Sequence, residues 1–237
     1  MRRHHHVLPT SVDIIVPYRP DGGLRDEHFA ILSSMWDRWF PTANVRVGVH
    51  TEAEGMWNKA VAIDRALEGS TAEVVVIADA DVWCEPEFVA QAVRQVSNNT
   101  PWVVPHQMVH RLDEKSSERW ASGDVEGLQL RYDRRPYLGV VGGGLLVITR
   151  EKFDRIGRFD PGFVGHSGED ISFGYKADTL LGVHTRLKGR LIHLYHVPQS
   201  TKGTRHSEAN MRRMREYALA RHKPHRMREL AAEYRVS

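Results

Sequence analysis

Residues 74–81 read VVVIADAD, a short apolar run that ends in two carboxylates one residue apart. The run is rich in β-branched side chains and holds no polar residue before the acids, which is typical of a strand buried on both faces inside a parallel sheet. Alternate side chains of an extended chain point the same way, so Asp79 and Asp81 are expected to project together just beyond the strand. Open α/β sheets bind their ligands at that edge.

Two carboxylates held close together repel each other unless a cation lies between them, and hard divalent ions favour oxygen ligands. The simplest interpretation of Asp79 and Asp81 is therefore a metal site that holds a diphosphate. The alternative is a turn in which the acids only solvate the end of the strand.

The composition indicates one globular α/β domain, or one domain with an appendage. The chain has 237 residues, of which 41% are hydrophobic and 27% are charged, enough for a core and ordinary for a globular protein. The single cysteine, Cys84, excludes an internal disulfide framework and fits a reducing compartment. No apolar run approaches a membrane span, and the basic start of the chain lacks the apolar stretch of a secretory signal. We therefore expect a cytoplasmic protein without a transmembrane segment.

Apolar strands alternate with amphipathic helices up to about residue 105, which predicts βαβ units and a mostly parallel central sheet flanked by helices in a single domain. Residues 102–105 form the last short strand of that half, and 106–137 are expected to be an irregular excursion or a helix. The predicted organisation is a flexible N-terminal tail (1–11), one domain (12–200) with a nucleotide-binding half (12–105) and an acceptor and catalytic half (106–200), and a basic helical C-terminal extension (201–237).

Three further motifs follow in the second half. Glycines 142–144 lie in or before a strand, where glycine indicates a bulge or a close approach by another group, or else room for a neighbouring aromatic ring. Glu169 and Asp170 open a helix after Gly168, as functional acids or as simple caps. A strand then carries His193 and His196, which are either structural residues or imidazole ligands suited to Mn²⁺.

In this fixed order the motifs resemble the glycosyltransferases of the GT-A fold, in the broad family-2-like group. The second half is similar to the galactosyltransferase-type C-terminal region of chondroitin polymerases and animal galactosyltransferases. The resemblance covers roughly residues 12–200 and is strongest over 139–175. It implies a GT-A type α/β fold and a metal-dependent, inverting glycosyltransferase. The implied donor is a nucleoside-diphosphate sugar, most simply a UDP-sugar, and the acceptor is a glycan, a protein or another hydroxyl compound.

The resemblance also implies roles for individual residues. In the Asp-x-Asp motif the second acid ligates the metal, while the first contacts ribose or metal-bound water. Asp170 matches the catalytic base, Glu169 would help to bind the acceptor, and His196 matches the third metal ligand better than His193 does. The expected ligands of Mn²⁺ (or Mg²⁺) are Asp79, Asp81, His196 and His193. The expected nucleotide-sugar contacts are Pro17, Arg19, Asn58, Lys59, Asp64, Asp79, Ala80, Asp81, Gly143 and Gly144, although the family usually has Asn where Asp64 stands.

The chemistry is coherent without the family. A metal neutralises the charge that builds on a departing diphosphate, and a separate carboxylate takes the proton of a weakly nucleophilic hydroxyl. Two other classes stay open: a sugar-nucleotide nucleotidyltransferase, which a missing Gly-rich basic loop near the first strand disfavours, and a non-catalytic module that binds a glycan or nucleic acid.

The C-terminal extension is strongly basic. Residues 202–237 contain ten Lys/Arg and four Asp/Glu, with apolar residues interleaved. This pattern predicts one or two cationic amphipathic helices, which either dock on the domain with a solvated charged face or bind an anionic partner, lipid or nucleic acid. Arg205 and His206 could instead belong to a loop that closes over the diphosphate.

Overall fold

The structure is a computed structural model that describes residues 6, 8–123, 130–132, 143–165, 167–196 and 205–233. The described chain contains eight strands and eight α-helices. In order they are β1 (Val12–Tyr18), α1 (Leu24–Trp39), β2 (Asn44–Val49), α2 (Lys59–Leu67), β3 (Val74–Ala78), β4 (Val82–Cys84), α3 (Pro86–Ser97), β5 (Val103–Leu112), α4 (Glu114–Ala121), β6 (Leu130–Tyr132), β7 (Leu145–Thr149), α5 (Arg150–Arg155), α6 (Glu169–Leu181), β8 (Thr185–His193), α7 (Arg205–Ala220) and α8 (Pro224–Glu233).

One sheet runs through the fold in the strand order β2-β1-β3-β7-β5-β8-β4, with β6 paired to β5. The α/β fold is confirmed, and the sheet is mixed. Parallel pairing joins β1 to β2, β1 to β3 and β5 to β8, whereas β7 runs antiparallel to β3 and β5. The reason lies at Gly144, whose carbonyl accepts from Asp79 N at 2.8 Å. The chain enters β7 beside the carboxyl end of β3, so it can only run back along it.

Strand β3, which holds the apolar run at 74–78, is covered on both faces, as predicted. All five residues of β3 are buried. Val74, Val76 and Ala78 belong to the apolar cluster that includes α1 and α3, while Val75 and Ile77 belong to the cluster that includes α2, α5 and α6. Because the side chains of a strand alternate, a sheet between two layers of helices needs an unbroken apolar run.

The predicted short strand at residues 102–105 is wrong in length. β5 continues to Leu112 and pairs with β8, with a register irregularity between Val104 and His106. Proline lacks an amide donor and interrupts a ladder, but a bulge absorbs the missing bond and lets the strand go on. Part of the expected excursion is thus strand, and α4 follows with Asp113 as its N-cap. Residues 124–129 and 133–142, including Gly142, lie outside the described residues.

The C-terminal helices dock on the domain. Tyr217, Ala220, Met227 and Leu230 are buried in one cluster with Phe163, and α7 and α8 both contact α6. The docking interpretation therefore accounts for the apolar positions of the extension. Across the described ranges, no helix is both long enough and apolar enough to cross a lipid bilayer.

Candidate active site

A pocket opens at the carboxyl edge of β1 and β3, the edge predicted from residues 74–81. Its walls are completed by the N-terminal ends of α1, α2 and α6 and by the C-terminal end of β8. Both halves of the domain therefore contribute to the pocket. Its lining residues are Pro17, Arg19, Arg25, Trp57, Lys59, Asp79, Ala80, Asp81, Glu169, His193 and His196. All but two of these, Arg25 and Trp57, carry a role predicted from the sequence.

Asp81, His193 and His196 form a cluster with the makeup of a metal site. One ligand atom from each lies within 4.8 Å of the others, and His196 Nε2 is 3.3 Å from Asp81 Oδ2. The sheet brings them together, since β4 pairs antiparallel with β8 so that Val82 faces His193, and Leu194 N donates to the Asp81 carbonyl at 2.9 Å. The structure therefore places both predicted histidines beside Asp81.

The donor set suits a first-row transition metal ion. His193 Nδ1 lies 2.9 Å from the Leu194 carbonyl oxygen, which can only accept, so Nδ1 carries the proton and Nε2 keeps its lone pair for a ligand. Burial lowers the pKa of His193 against the opposing effect of Asp81, which favours the neutral, ligating imidazole. One carboxylate with two imidazoles fits Mn²⁺ better than Mg²⁺.

Asp79 faces a different partner. The chain turns after β3, with Val82 N donating to the Asp79 carbonyl at 3.3 Å, so it is not extended through the two acids as expected. Asp79 Oδ1 lies 2.7 Å from Lys59 Nζ, and the same ammonium lies 2.9 Å from Asp170 Oδ1. Lys59 thus joins the Asp-x-Asp turn to the start of α6.

Known proteins agree with this architecture. The sequence profile of Glycosyl transferase family 2 matches residues 40–157. GalNAc-T7 with UDP, GalNAc and Mn²⁺ superposes with a TM-score of 0.53 at 14% identity, over 86% of this chain and 47% of that one. A Drosophila β1,4-galactosyltransferase 7 mutant with manganese, UDP-Gal and xylobiose gives 0.53 at 14% identity, over 84% of this chain and 79% of that one. Residues 40–157 therefore match Glycosyl transferase family 2, and the chain as a whole has the GT-A fold.

A third solved structure, also with xylobiose, has the same fold. The catalytic domain of the same Drosophila enzyme superposes on this chain with a TM-score of 0.54 at 14% identity, over 85% of this chain and 79% of that one. The chain thus spans less than half the length of GalNAc-T7 and about four fifths of the Drosophila chains. A search of curated proteins found no match to the sequence. The predicted GT-A fold is confirmed.

Charge is concentrated on the α6 side of the pocket. Burial by itself would lower the pKa of the Lys59 ammonium, but Asp170, Asp79 and Glu169 outweigh it and hold that pKa above its ordinary value. Burial, and then the Asp170 carboxylate, raise the pKa of Glu169 to about 7. Glu169 Oε2 is buried and has no hydrogen-bond partner in the described part of the chain. A hydroxyl in the pocket could supply that partner.

Five predicted site residues do not line the described pocket. Asp170 reaches Lys59, as noted above, and Asn58 caps α2 by accepting from Val61 N at 3.2 Å. Asp64 pairs with Arg158 at 2.8 Å, farther along α2. Gly143 and Gly144 lead into β7; a Cβ on Gly144, whose φ is +91°, would come within 2.7 Å of a Leu191 methyl. The close approach at Gly144 is therefore to β8 and not to a ligand.

Sequence reasoning missed Arg25 and Trp57. Arg25 is the second residue of α1, directly after the Gly22-Gly23 turn, and Trp57 directly precedes the N-cap of α2. Both helices start at the carboxyl edge of the sheet, so a search of the first turns and the residues just before them for side chains that can bind a nucleotide would have found both.

Proposed function

We propose that this glycosyltransferase moves a sugar from a nucleoside-diphosphate sugar to an acceptor hydroxyl with inversion, and that it depends on a divalent metal. The proposal rests on one observation: the Asp81–His193–His196 cluster shares a single pocket with Glu169 and with Lys59, whose ammonium also holds Asp170 at 2.9 Å. One part of that pocket can hold the leaving group, and the other can receive the acceptor's proton.

The donor end supplies positive charge and an aromatic ring. Arg19 and Arg25 are always charged and suited to phosphate oxygens, while Trp57 offers a ring face for a nucleobase or sugar. Solved structures of similar fold hold UDP or UDP-Gal with manganese, which supports a UDP-sugar as donor.

Asp81, His193 and His196 would hold the metal, with Asp79 adjacent to them. Mn²⁺, or Mg²⁺ in its place, neutralises charge on a departing diphosphate when bound. Lys59 keeps Asp79 and Asp170 paired, so neither carboxylate stands as an isolated buried charge.

The acceptor end supplies the base. The acceptor oxygen forms its bond to the anomeric carbon as the bond from that carbon to the diphosphate oxygen breaks, and the hydroxyl proton passes to Asp170. Glu169 lines the pocket, and with its raised pKa it can donate to or accept from the incoming hydroxyl. A single displacement with one base gives inversion.

The deciding experiment is a panel of nucleoside-diphosphate sugars with Mn²⁺, scored for nucleoside diphosphate released with and without candidate acceptors. We expect metal-dependent release from at least one donor and an inverted linkage in the product. Release of pyrophosphate from a nucleoside triphosphate would identify a nucleotidyltransferase instead, and binding without release would identify a non-catalytic module.

We assign no anionic partner to the basic extension. Arg213 pairs with Asp160, Arg221 lies over the Tyr175 ring and Arg226 pairs with Glu229, so part of its charge serves contacts within the chain. We also propose a reducing, cytoplasmic setting, supported by the sole cysteine, Cys84, being a buried free thiol.

A further inference from the structure

Residues 160–165 and 167–168 precede α6, and α7 contacts the catalytic half at this segment. It begins at Asp160, directly after a phenylalanine whose ring stacks on α6, and it ends at Gly168, the N-cap of the helix that opens with Glu169 and Asp170. Whatever fixes this segment therefore fixes where the two acids stand.

Asp160 is held by two side chains of α7. Its carboxylate is 4% exposed and accepts from Arg213 Nε at 2.8 Å and from the Tyr217 hydroxyl at 3.0 Å. Its other oxygen accepts from Gly162 N at 2.8 Å, and Arg213 Nη1 donates to the Gly162 carbonyl at 3.2 Å. A carboxylate this buried needs such partners, so its position depends on α7.

Asn210 makes a second attachment one helical turn earlier. Its amide nitrogen donates to the Val164 carbonyl at 2.9 Å, and its amide oxygen accepts from Val164 N at 3.3 Å, so both peptide groups of that residue are paired. On the opposite side Gly165 N donates to the Trp57 carbonyl at 2.7 Å. The segment lies between α7 and the donor-side wall of the pocket.

The packing at the helix start is equally close. Gly168 has φ +95°, and an added Cβ would lie 3.0 Å from the Phe163 ring and 3.3 Å from Met214 Cβ. At Gly162 an added Cβ would lie 1.9 Å from the Arg213 guanidinium. Glycine thus stands at two of the places where α7 comes against the backbone of this segment.

We propose that Asn210, Arg213 and Tyr217, here called the α7 clamp, are positioning residues that set the geometry of Glu169 and Asp170 for transfer. The inference rests on the proposed function and assigns the C-terminal extension a part in it. A base misplaced by about 1 Å can lower a rate about a hundredfold while substrate contacts elsewhere stay intact. The three residues that the clamp holds through the bonds given above, Asp160, Gly162 and Val164, do not line the pocket.

The test compares Arg213→Ala and Tyr217→Phe with Arg212→Ala, an exposed arginine beside the clamp on the same helix. Tyr217→Phe keeps the buried ring and removes only the hydroxyl bonded to Asp160, so it guards against a variant that fails to fold. We expect kcat to fall about tenfold to a hundredfold in Arg213→Ala and severalfold in Tyr217→Phe, with the donor KM unchanged. Amide exchange over residues 162–170 should become faster in both, and Arg212→Ala should match the wild-type chain.

A double-variant cycle separates positioning from general loss of stability. If Arg213 acts through the base, Arg213→Ala should cost nothing further in a chain that already carries Asp170→Asn. Three outcomes would each overturn the proposal. They are the same proportional loss of kcat in both backgrounds, a rise in donor KM that accounts for the lost activity, and faster amide exchange at 162–170 without a fall in kcat. Absence of transfer by the wild-type chain would instead overturn the proposed function, and it would be seen before any variant is compared.

Discussion

Lys59 donates to Asp170 across 2.9 Å and thereby joins the first residue of α2 to the second residue of α6. The ammonium is 8% exposed, and it also reaches Asp79. The acid that follows the buried strand and the acid proposed as base therefore share one cation, and the two ends of the reaction are electrostatically linked.

Removing that cation should leave two carboxylates unpaired. We expect Lys59→Met to lower the free energy of unfolding by about 2–4 kcal/mol at pH 8, because the carboxylates of Asp79 and Asp170 lose their common cation. The same variant should lose most of its transfer activity. The loss of stability should shrink near pH 4, because burial raises the pKa of Asp79 to about 6 and that carboxylate is protonated there, as chemical denaturation at both pH values can show. Lys152→Met is the matched control, because the Lys152 ammonium is held by oxygens of Asn99 and Thr100 and by no carboxylate. An equal pH dependence in both variants would contradict the linkage.

The metal cluster predicts an ordered loss of Mn²⁺ affinity. Asp81→Asn, His193→Gln and His196→Gln should each weaken binding at least tenfold, because each removes one ligand atom. Asp79→Asn should cost less, since that carboxylate faces Lys59. Titration followed by electron paramagnetic resonance of free Mn²⁺ measures this directly, with His184→Gln, at the other end of β8, as control. Unchanged affinity in all three ligand variants would remove the site.

Replacing the proposed base should separate chemistry from binding. Asp170→Asn keeps the size of the side chain but not its basicity, so we expect kcat to fall about a hundredfold to ten-thousandfold. Nucleoside diphosphate should bind as tightly as before, and Asp37→Asn, an exposed acid on α1, should leave turnover unchanged. Normal turnover by Asp170→Asn would move the base to Glu169, and retention at the anomeric carbon would argue against single displacement altogether.

Glu169 should reduce stability at high pH. Its pKa is about 7 in the folded chain against an ordinary value near 4.5, so the folded state disfavours its ionisation. Below pH 4.5 the group is protonated in both states and contributes nothing; the penalty grows between pH 4.5 and 7 and is complete above. Glu169→Gln should therefore stabilise the protein by about 1–3 kcal/mol at pH 8 and have little effect at pH 4. Equal effects at both pH values in urea titrations would contradict the raised pKa.

Local patterns predicted the parts of the fold that depend on periodicity. The run at 74–78 predicted a strand covered on both faces, and the apolar strands and amphipathic helices up to about residue 105 predicted the α/β fold, because burial on a sheet or a helix face repeats every two or 3.6 residues. The resemblance to the family predicted the functional residues. It assigned Asp81, His193 and His196 to one metal site, and the structure groups these three side chains.

Long-range pairing explains what the sequence did not reveal. Nothing local states that Lys59 reaches Asp79 and Asp170, or that Asp64 turns instead to Arg158, since those partners come from other elements. The extension of β5 past Pro105 depends on a bulge opposite β8. The arginines of the extension looked like a surface for polyanions because the buried partner of Arg213, Asp160, stands about fifty residues away.

The pairing of β4 with β8 also bears on how this chain folds. Asp81 and His193 are more than a hundred residues apart in sequence, and they become neighbours only when the last strand adds to the sheet. Closing so long a loop is slow, and no fragment ending before β8 can assemble the cluster. Metal binding would then be a late event that reports completed folding. Mn²⁺ should therefore slow unfolding more than it speeds folding, because the ion stabilises contacts that form last.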